Sequence, residues 1–546
     1  MTKARTTIGE YLVRRLGDTG VRHVFGIPGD YVLGFYDLLV QSPIKVIGTT
    51  KEDGAGFAAD AYARANGIGA LCVTYGVGGL SVVNPVAGAY AEKSPVVVIT
   101  GSPGLRERAD DPLLHHKVRT FATQKEIFEQ VTAAAVVLDD PDTAFRSIDE
   151  TLATCVREKR PVYIELPRDM VEVAPAQRHE PRSIEERSDP ASLAEALEET
   201  IERLNRAKRP VILADVEMHR YGLGKDLETL ADRTGYPVAA TILGKSILKE
   251  VHPNFLGIYQ GAMSRPEVQK AVEASDGLLM LGTVLCDINT GVFTAKVDPA
   301  RTISATSQAV QISRHRFDKI RLSDFVQGLL GAPLRRWKGP LLGQAPAATQ
   351  KIRRGGPITV TGLFELLNRR LTDRMAVICD VGLSMFAAVD LVIRNETKFF
   401  APAYYASMGF GIPAALGVAS ADPKLRPVVL VGDGAFQMTG VELSSIVKAG
   451  LDPIVLLLNN RGYTTERFIQ DGPYNDILDW RYEKLPDLLG AGWGAVVRTE
   501  KEFAAAWDRA TGRRGSFSLL NIHLDPKDHC PALVRLGEGL SAQLRT

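Results

Sequence analysis

The chain has 546 residues, too many for one hydrophobic core, and its length points to three or four domains. Charged residues make up 24% and apolar residues 45%, ordinary proportions for a globular protein. A net charge of +1 gives no electrostatic reason for a nucleic acid or an anionic membrane surface as partner, and no apolar run approaches a membrane span.

Met1 to Gly20 mixes Arg14 and Arg15 with Glu10 and Asp18 and lacks an apolar stretch, so it reads as a helix of the folded domain rather than a secretory signal. Helix and strand patterns then alternate from Ile8 to about Val173, with strands expected at Lys45 to Gly48, Ala70 to Tyr75, Val96 to Thr100 and Pro161 to Glu165. Gln177 to Ser192, rich in Arg, Glu and Pro, has no apolar period and reads as a linker. A second block runs from Leu193 to about Ala332, with strands expected at Pro210 to Ala214, Val238 to Ala240, Gly277 to Leu281 and Arg301 to Ser304. Trp337 to Pro357, rich in Gly, Pro and Ala, is the second linker, and a third block starts at Ile358. The expected domains are therefore residues 1–176, 193–336 and 358–546, all α/β with doubly wound parallel sheets. Cys72, Cys155, Cys286, Cys379 and Cys530 are odd in number and scattered, which argues against a disulfide framework or zinc site and fits a reducing cytoplasm.

The third block carries the most informative pattern. Pro427 to Val431 reads as a buried strand entering Gly432-Asp433-Gly434; Thr439 and Glu442 have the spacing of a capping box; Leu443, Ile446 and Val447 make a helical stripe that Gly450 stops. Pro453 to Leu458 is a second buried strand, and it runs into Asn459-Asn460 and Gly462. A strand–helix–strand unit of this length crosses over right-handedly, which places Asp433 and Asn460 at the carboxyl ends of parallel strands, where open α/β sheets bind ligands. A carboxylate, an amide oxygen and a backbone carbonyl near Gly462 form a hard-oxygen set suited to Mg²⁺ that takes further ligands from a diphosphate. By itself, Gly-Asp-Gly is equally a simple turn.

Elsewhere, single residues have two readings each. Glu52, after the Lys45 to Gly48 strand, suits the first turn of a helix whatever else it does. Pro28-Gly29-Asp30 is a turn signature, and His115-His116, between Asp110-Asp111-Pro112 and Arg119, would be solvated loop residues in most proteins. Glu466 could face solvent paired with Arg467, and Met408 could be ordinary core filler. Gly76-Val-Gly-Gly79 lacks the spacing of a dinucleotide loop, which disfavours a plain nucleotide-binding module.

Gly432-Asp433-Gly434 with Asn459-Asn460 resembles the diphosphate motif of the thiamine diphosphate (ThDP) enzymes. Glu52 to Asp60 resembles their pyrimidine-binding motif, and Asp30, Glu52, His115, His116 and Glu466 together resemble the 2-oxo acid decarboxylase branch. The resemblance implies Asp433, Asn460 and the Gly462 carbonyl as Mg²⁺ ligands. It places Gly432, Gly434, Ala435, Gly382, Ser384 and Ala406 against the cofactor, with Met408 propping it into a V. It implies Glu52 on N1′ of the aminopyrimidine, where a carboxylic acid promotes the proton exchange that activates the cofactor. Asp53, beside it, is expected to face outward. Asp30, His115, His116 and Glu466 are implied as a coupled proton-handling set.

The implied activity is conversion of a 2-oxo acid to an aldehyde and CO₂. A pyruvate decarboxylase is the alternative, and a ThDP carboligase of the acetolactate synthase type a less favoured one, because the histidine pair and Glu466 suit protonation. Ile288, Met385 and Thr465 fall around the implied substrate side chain. Ile and Met are smaller than the Tyr and Trp of some pyruvate-specific relatives, so branched-chain or aromatic 2-oxo acids are expected over pyruvate. No cysteine lies in Ile212 to Arg220, which disfavours the substrate activation of yeast-type pyruvate decarboxylases. The resemblance also implies a homodimer or homotetramer with active sites between subunits.

Overall fold

Runs such as Val96–Ile99 and Val428–Val431 have no polar face to offer water, so they are stable only as interior strands covered by helices on both sides. The computed structural model, which describes residues 5–176, 179, 187–340, 356–394 and 397–543, buries both runs completely. Most of the first linker and residues 341–355 of the second lie outside the described residues.

Three sheets follow one another along the chain. The first has six parallel strands in the spatial order Lys45–Gly48, His23–Gly26, Gly69–Val73, Val96–Ser102, Val162–Pro167, Ala135–Val137. The third has six parallel strands in the order Lys398–Phe400, Met375–Cys379, Arg426–Gly432, Ile454–Asn459, Ser518–His523, Trp493–Val497. Numbered within each unit, both read 2-1-3-4-6-5, so the two flanking units share one topology. The seven-stranded middle sheet is parallel from Phe255–Ile258 to Thr302–Ala305, and it departs from the expectation at one edge. There Ala309–Ile312 and His315–Asp318 form an antiparallel hairpin, joined by a tight turn with Ser313 at φ +55°. A short connection cannot make the crossover that parallel pairing needs.

The third unit shares a hydrophobic core with each neighbour: Phe57, Tyr62 and Val86 join Ile412, Leu416 and Phe436 in one cluster, and Leu281, Ile303 and Phe325 join Val377, Leu430 and Leu456 in another. Equivalent helices of the flanking units, Glu52–Asn66 and Gly411–Ala421, pack against each other. Their backbones approach so closely that a Cβ on Gly417 would lie 2.1 Å from the carbonyl oxygen of Ala58.

Candidate active site

The strand Arg426–Gly432 ends at Gly432, and Asp433 is the first residue of the helix Asp433–Thr439. Its neighbour Ile454–Asn459 ends beside it, in register from Val428 with Ile454 to Gly432 with Leu458. Asp433 is buried; its Oδ1 accepts from the Gly434 N–H (2.8 Å) and its Oδ2 from the Gly462 N–H (3.2 Å). Burial raises its carboxyl to a pKa of about 6, partly offset by those N–H groups. Asn460 is also buried, and its Oδ1 has no hydrogen-bond partner. A buried carboxylate and an unpartnered buried amide oxygen at neighbouring strand ends make an oxygen donor set that fits a hard divalent ion. Gly462 has φ +143°, and a Cβ there would fall 2.0 Å from the Asn475 carbonyl oxygen, so the turn requires glycine. Asn459 differs in its amide nitrogen, which donates to Asp479 (2.9 Å) and Asn521 (3.0 Å); its Oδ1, like that of Asn460, is buried without a partner.

Around this loop, Gly382 at φ +95° precedes the short helix Leu383–Ala387, and a Cβ on it would lie 3.5 Å from Thr465 Oγ1, itself buried without a partner. The Ser384 hydroxyl donates to the Asp380 carbonyl (2.7 Å). The Asp380 carboxylate, raised to about 6 by burial, accepts from the N–H groups of Gly409 (3.1 Å) and Gly411 (2.7 Å), anchoring the segment that holds Ala406 (φ +57°) and Met408. Met408 packs against the core shared by the first and third units. Gly434 faces the Tyr463 ring, and Ala435 is buried. Met385 is fully buried, and Ile288 packs against the same cluster.

The expected capping box at Thr439 and Glu442 is not formed. Thr439 closes the preceding helix, and its hydroxyl donates to the Gly409 carbonyl (2.7 Å), while Glu442 reaches into the first unit. Glu466 is exposed on the helix Thr464–Ile469 and is not paired with Arg467, whose guanidinium instead binds Asp476 (2.7 Å) and the carbonyls of Asn460 and Arg461.

At the carboxyl edge of the first sheet, His115 Nε2 lies 2.9 Å from Asp30 Oδ2, and the imidazole stacks on Tyr31 with centroids 4.6 Å apart. His116, at φ +68°, has a buried Nδ1 without a partner. Polar atoms of Asp30, His115 and His116 all lie within 4.8 Å of one another. Gly76 sits under His116, where a Cβ would meet its carbonyl oxygen at 2.3 Å, and the Gly76 N–H donates to Gln124. The glycine-rich turn at Gly76 to Gly79 therefore supports the histidine loop. Tyr31 and Arg168, whose guanidinium lies 3.9 Å from Asp30 and pairs with Glu107, were not singled out by sequence. Tyr31 adjoins Asp30, but nothing in the sequence ties Arg168 to it.

Glu52 opens the helix Glu52–Asn66, half-buried, with no side-chain hydrogen bond among the described residues. Asp53 is engaged by exposed Lys51 (2.9 Å) and by the Gly54 N–H (2.8 Å). Among the described residues no side-chain hydrogen bond or ion pair joins Asp30, Glu52, His115 or His116 to Asp433, Asn460 or Glu466. The two halves lie on two sheet edges of the chain.

Comparison with known proteins places names on both halves. Residues 6–131 match the thiamine pyrophosphate enzyme N-terminal TPP binding domain, residues 197–331 the central domain and residues 380–522 the C-terminal TPP binding domain of that family. The chain is 39% identical to an indole-3-pyruvate decarboxylase of Azospirillum brasilense, with 97% of this chain and 98% of that protein covered. It is 37% identical to an alpha-keto-acid decarboxylase of Mycolicibacterium paratuberculosis (98% and 96% covered) and 32% identical to pyruvate decarboxylase 4 of Arabidopsis thaliana (99% and 92%).

Proposed function

The chain belongs to the thiamine diphosphate-dependent 2-oxo acid decarboxylases, and on that premise we propose which residues do the work and which substrates they favour. The observation that carries the reading is the unpartnered buried Asn460 Oδ1 and the buried Asp433 carboxylate at neighbouring strand ends, with the Asp30–His115–His116 cluster on a second, like sheet. Asp433, Asn460 and Gly462 hold a Mg²⁺ that carries the diphosphate; Gly382, Ser384, Ala406, Met408, Gly432, Gly434 and Ala435 cradle the cofactor. When bound, the cofactor supplies a nucleophilic carbon for the 2-carbonyl and a sink for the electron pair left by CO₂.

The residues of the chain manage protons and position. Glu52 holds a proton at the pyrimidine ring. Asp30, His115, His116 and Glu466 deliver and remove protons at the substrate carbon and oxygen, and Tyr31, stacked on His115, fixes that ring. No side-chain hydrogen bond or ion pair among the described residues joins the Asp30 cluster to the metal loop, and Met438, Val441, Leu478 and Trp480 expose apolar surface on the third unit. Both observations support two copies joining to complete each site, as a homodimer or homotetramer. Five free cysteines, all buried, fit a cytoplasmic enzyme. No helix among the described residues is long and apolar enough to cross a membrane.

Ile288, Met385 and Thr465 shape the substrate side-chain pocket. Each extra methylene buried there contributes about 0.8 kcal/mol, so a branched four-carbon side chain gains up to about 10²-fold over a methyl group. Preferred substrates are branched-chain or aromatic 2-oxo acids. Aldehyde release from pyruvate, 4-methyl-2-oxopentanoate and phenylpyruvate with added ThDP and Mg²⁺ tests this: the larger acids should lead in kcat/KM. A clear lead for pyruvate would overturn the preference, and aldehyde from none of them would overturn the whole reading.

A further inference from the structure

We infer that Glu442 is a positioning residue for Glu52: a carboxylate of the third unit that caps, across the domain boundary, the helix on which Glu52 sits. The helix Glu52–Asn66 begins at Lys51 with no side-chain cap of its own. The two backbone N–H groups that lead into it, those of Thr50 and Lys51, are held from outside the unit. Glu442, 1% exposed, accepts from the Thr50 N–H (3.1 Å to Oε1), the Lys51 N–H (3.1 Å to Oε1) and the Thr50 hydroxyl (2.5 Å to Oε1), while Ser445 donates to Oε2 (2.8 Å). A Cβ on Gly54 would lie 2.3 Å from Glu442 Oε1, so the helix start leaves room for this carboxylate and for little else. A negative charge at a helix N-terminus is further favoured by the helix dipole.

The arrangement has a counterpart. In the first unit, Glu92 follows the helix Val83–Ala91, after the third strand of the 2-1-3-4-6-5 order; in the third unit, Glu442 lies in the same region after the third strand. Glu92 Oε1 accepts from the N–H groups of Tyr404 (2.8 Å) and Tyr405 (2.9 Å), which follow the second strand of the third unit. Glu442 accepts from Thr50 and Lys51, which follow the second strand of the first unit. Each unit thus grips the cofactor-facing segment of the other with one buried glutamate: Glu92 holds the approach to Ala406 and Met408, and Glu442 holds Glu52. Because Glu442 also terminates the segment that begins at Asp433, it fixes the Asp433 loop of a chain to the Glu52 helix of the same chain, two elements that serve different sites in the proposed dimer.

The inference rests on the reading of Glu52 as the activating acid, and a double-mutant cycle separates the two. Glu442→Ala should lower kcat about 10- to 100-fold with little change in KM, the scale of a catalytic group displaced by roughly an ångström. In the Glu52→Gln background the same change should lower kcat less than about twofold, because the group it positions is already gone. In the cofactor-free protein, amide exchange at Thr50 to Ala55 should speed up in Glu442→Ala and stay near the parent rate in Glu442→Gln, which keeps one acceptor oxygen. If Glu442→Ala does not fold, Glu442→Gln carries the cycle, with a smaller loss expected in the parent background and none beyond it in the Glu52→Gln background. An equal loss in both backgrounds, or unchanged exchange at Thr50 to Ala55 in Glu442→Ala, would overturn the positioning role. Parental turnover by Glu52→Gln alone would instead overturn the assignment of Glu52.

Discussion

Replacing Asp433 by asparagine separates what the proposed metal-binding loop does for function from what it costs the cofactor-free fold. Burial holds the Asp433 carboxyl at about 6 against 3.8 in the unfolded chain. The sign follows from linkage: between those values the folded state binds the proton more tightly, so stability falls as pH rises through the window. The cost is absent below about pH 4 and nearly complete above about pH 6, where it amounts to about 3 kcal/mol. At pH 5 about half of it has been incurred, so about 1.4 kcal/mol accrues between pH 5 and pH 7.5. The substituted asparagine cannot ionise, but its amide nitrogen replaces an acceptor that faces the Gly434 or Gly462 N–H, a loss of about 1 kcal/mol at every pH.

The cofactor-free Asp433→Asn protein should therefore gain on the parent by about 1.4 kcal/mol as pH rises from about 5 to about 7.5. That is a relative shift in melting midpoint of about 3–6 °C for a melting unit of about 150–250 residues. Asp380, also held near 6, stays in both proteins and cancels in the difference. The assay is thermal unfolding at the two pH values after chelation and dialysis, alongside ThDP retention with added Mg²⁺, which the variant should lose. A variant whose midpoint tracked the parent at both pH values, or that retained the cofactor with metal, would refute the reasoning.

Glu52→Gln preserves shape and removes the acid, so turnover should fall by roughly 10² to 10⁴ while ThDP binding, read by fluorescence quenching, survives. His115→Ala, His116→Ala and Glu466→Gln should raise the fraction of 2-hydroxy ketone relative to aldehyde, measured by chromatography; an unchanged ratio in all three would assign these side chains to solvent. Met385→Trp should depress kcat/KM for 4-methyl-2-oxopentanoate and phenylpyruvate more than for pyruvate, and equal losses for all three would remove Met385 from the specificity pocket.

The sheets were legible where burial makes the sequence continuously apolar. Lys45 to Gly48 and Gly277 to Leu281 have the expected ends, and the strands beginning at Val96 and Arg426 differ from expectation by a residue or two. Ala135–Val137 and Trp493–Val497 lie at sheet edges and are largely half-buried, so they carry little periodic signal. The hairpin Ala309–Ile312 with His315–Asp318 was hidden because three of its last four residues are exposed. The strands on either side of Gly432-Asp433-Gly434 could be read because strand, turn, helix and second strand follow one another without interruption from Arg426 to Asn459. Glu442 was misread for the converse reason: its spacing from Thr439 satisfies a local rule, but its partners are 391 and 392 residues away. Asn459 and Asn460 look alike in sequence and both keep a buried side-chain oxygen without a partner, but among the described residues only Asn459 donates its amide, to Asp479 and Asn521.

The placement of Glu52 and Asp433 on separate sheet edges, with each proposed site completed by a twofold-related copy, has a genetic consequence. Two alleles, one lacking Glu52 and the other lacking Asp433, each encode a silent protein, yet the defects need not fall in the same site. In a mixed dimer one site receives both lesions and the other receives neither. Random pairing of equal amounts makes half the dimers mixed, so co-expression should recover about a quarter of parental activity from two dead parents. Two alleles damaged in the same half, such as Glu52 and His115, would recover none.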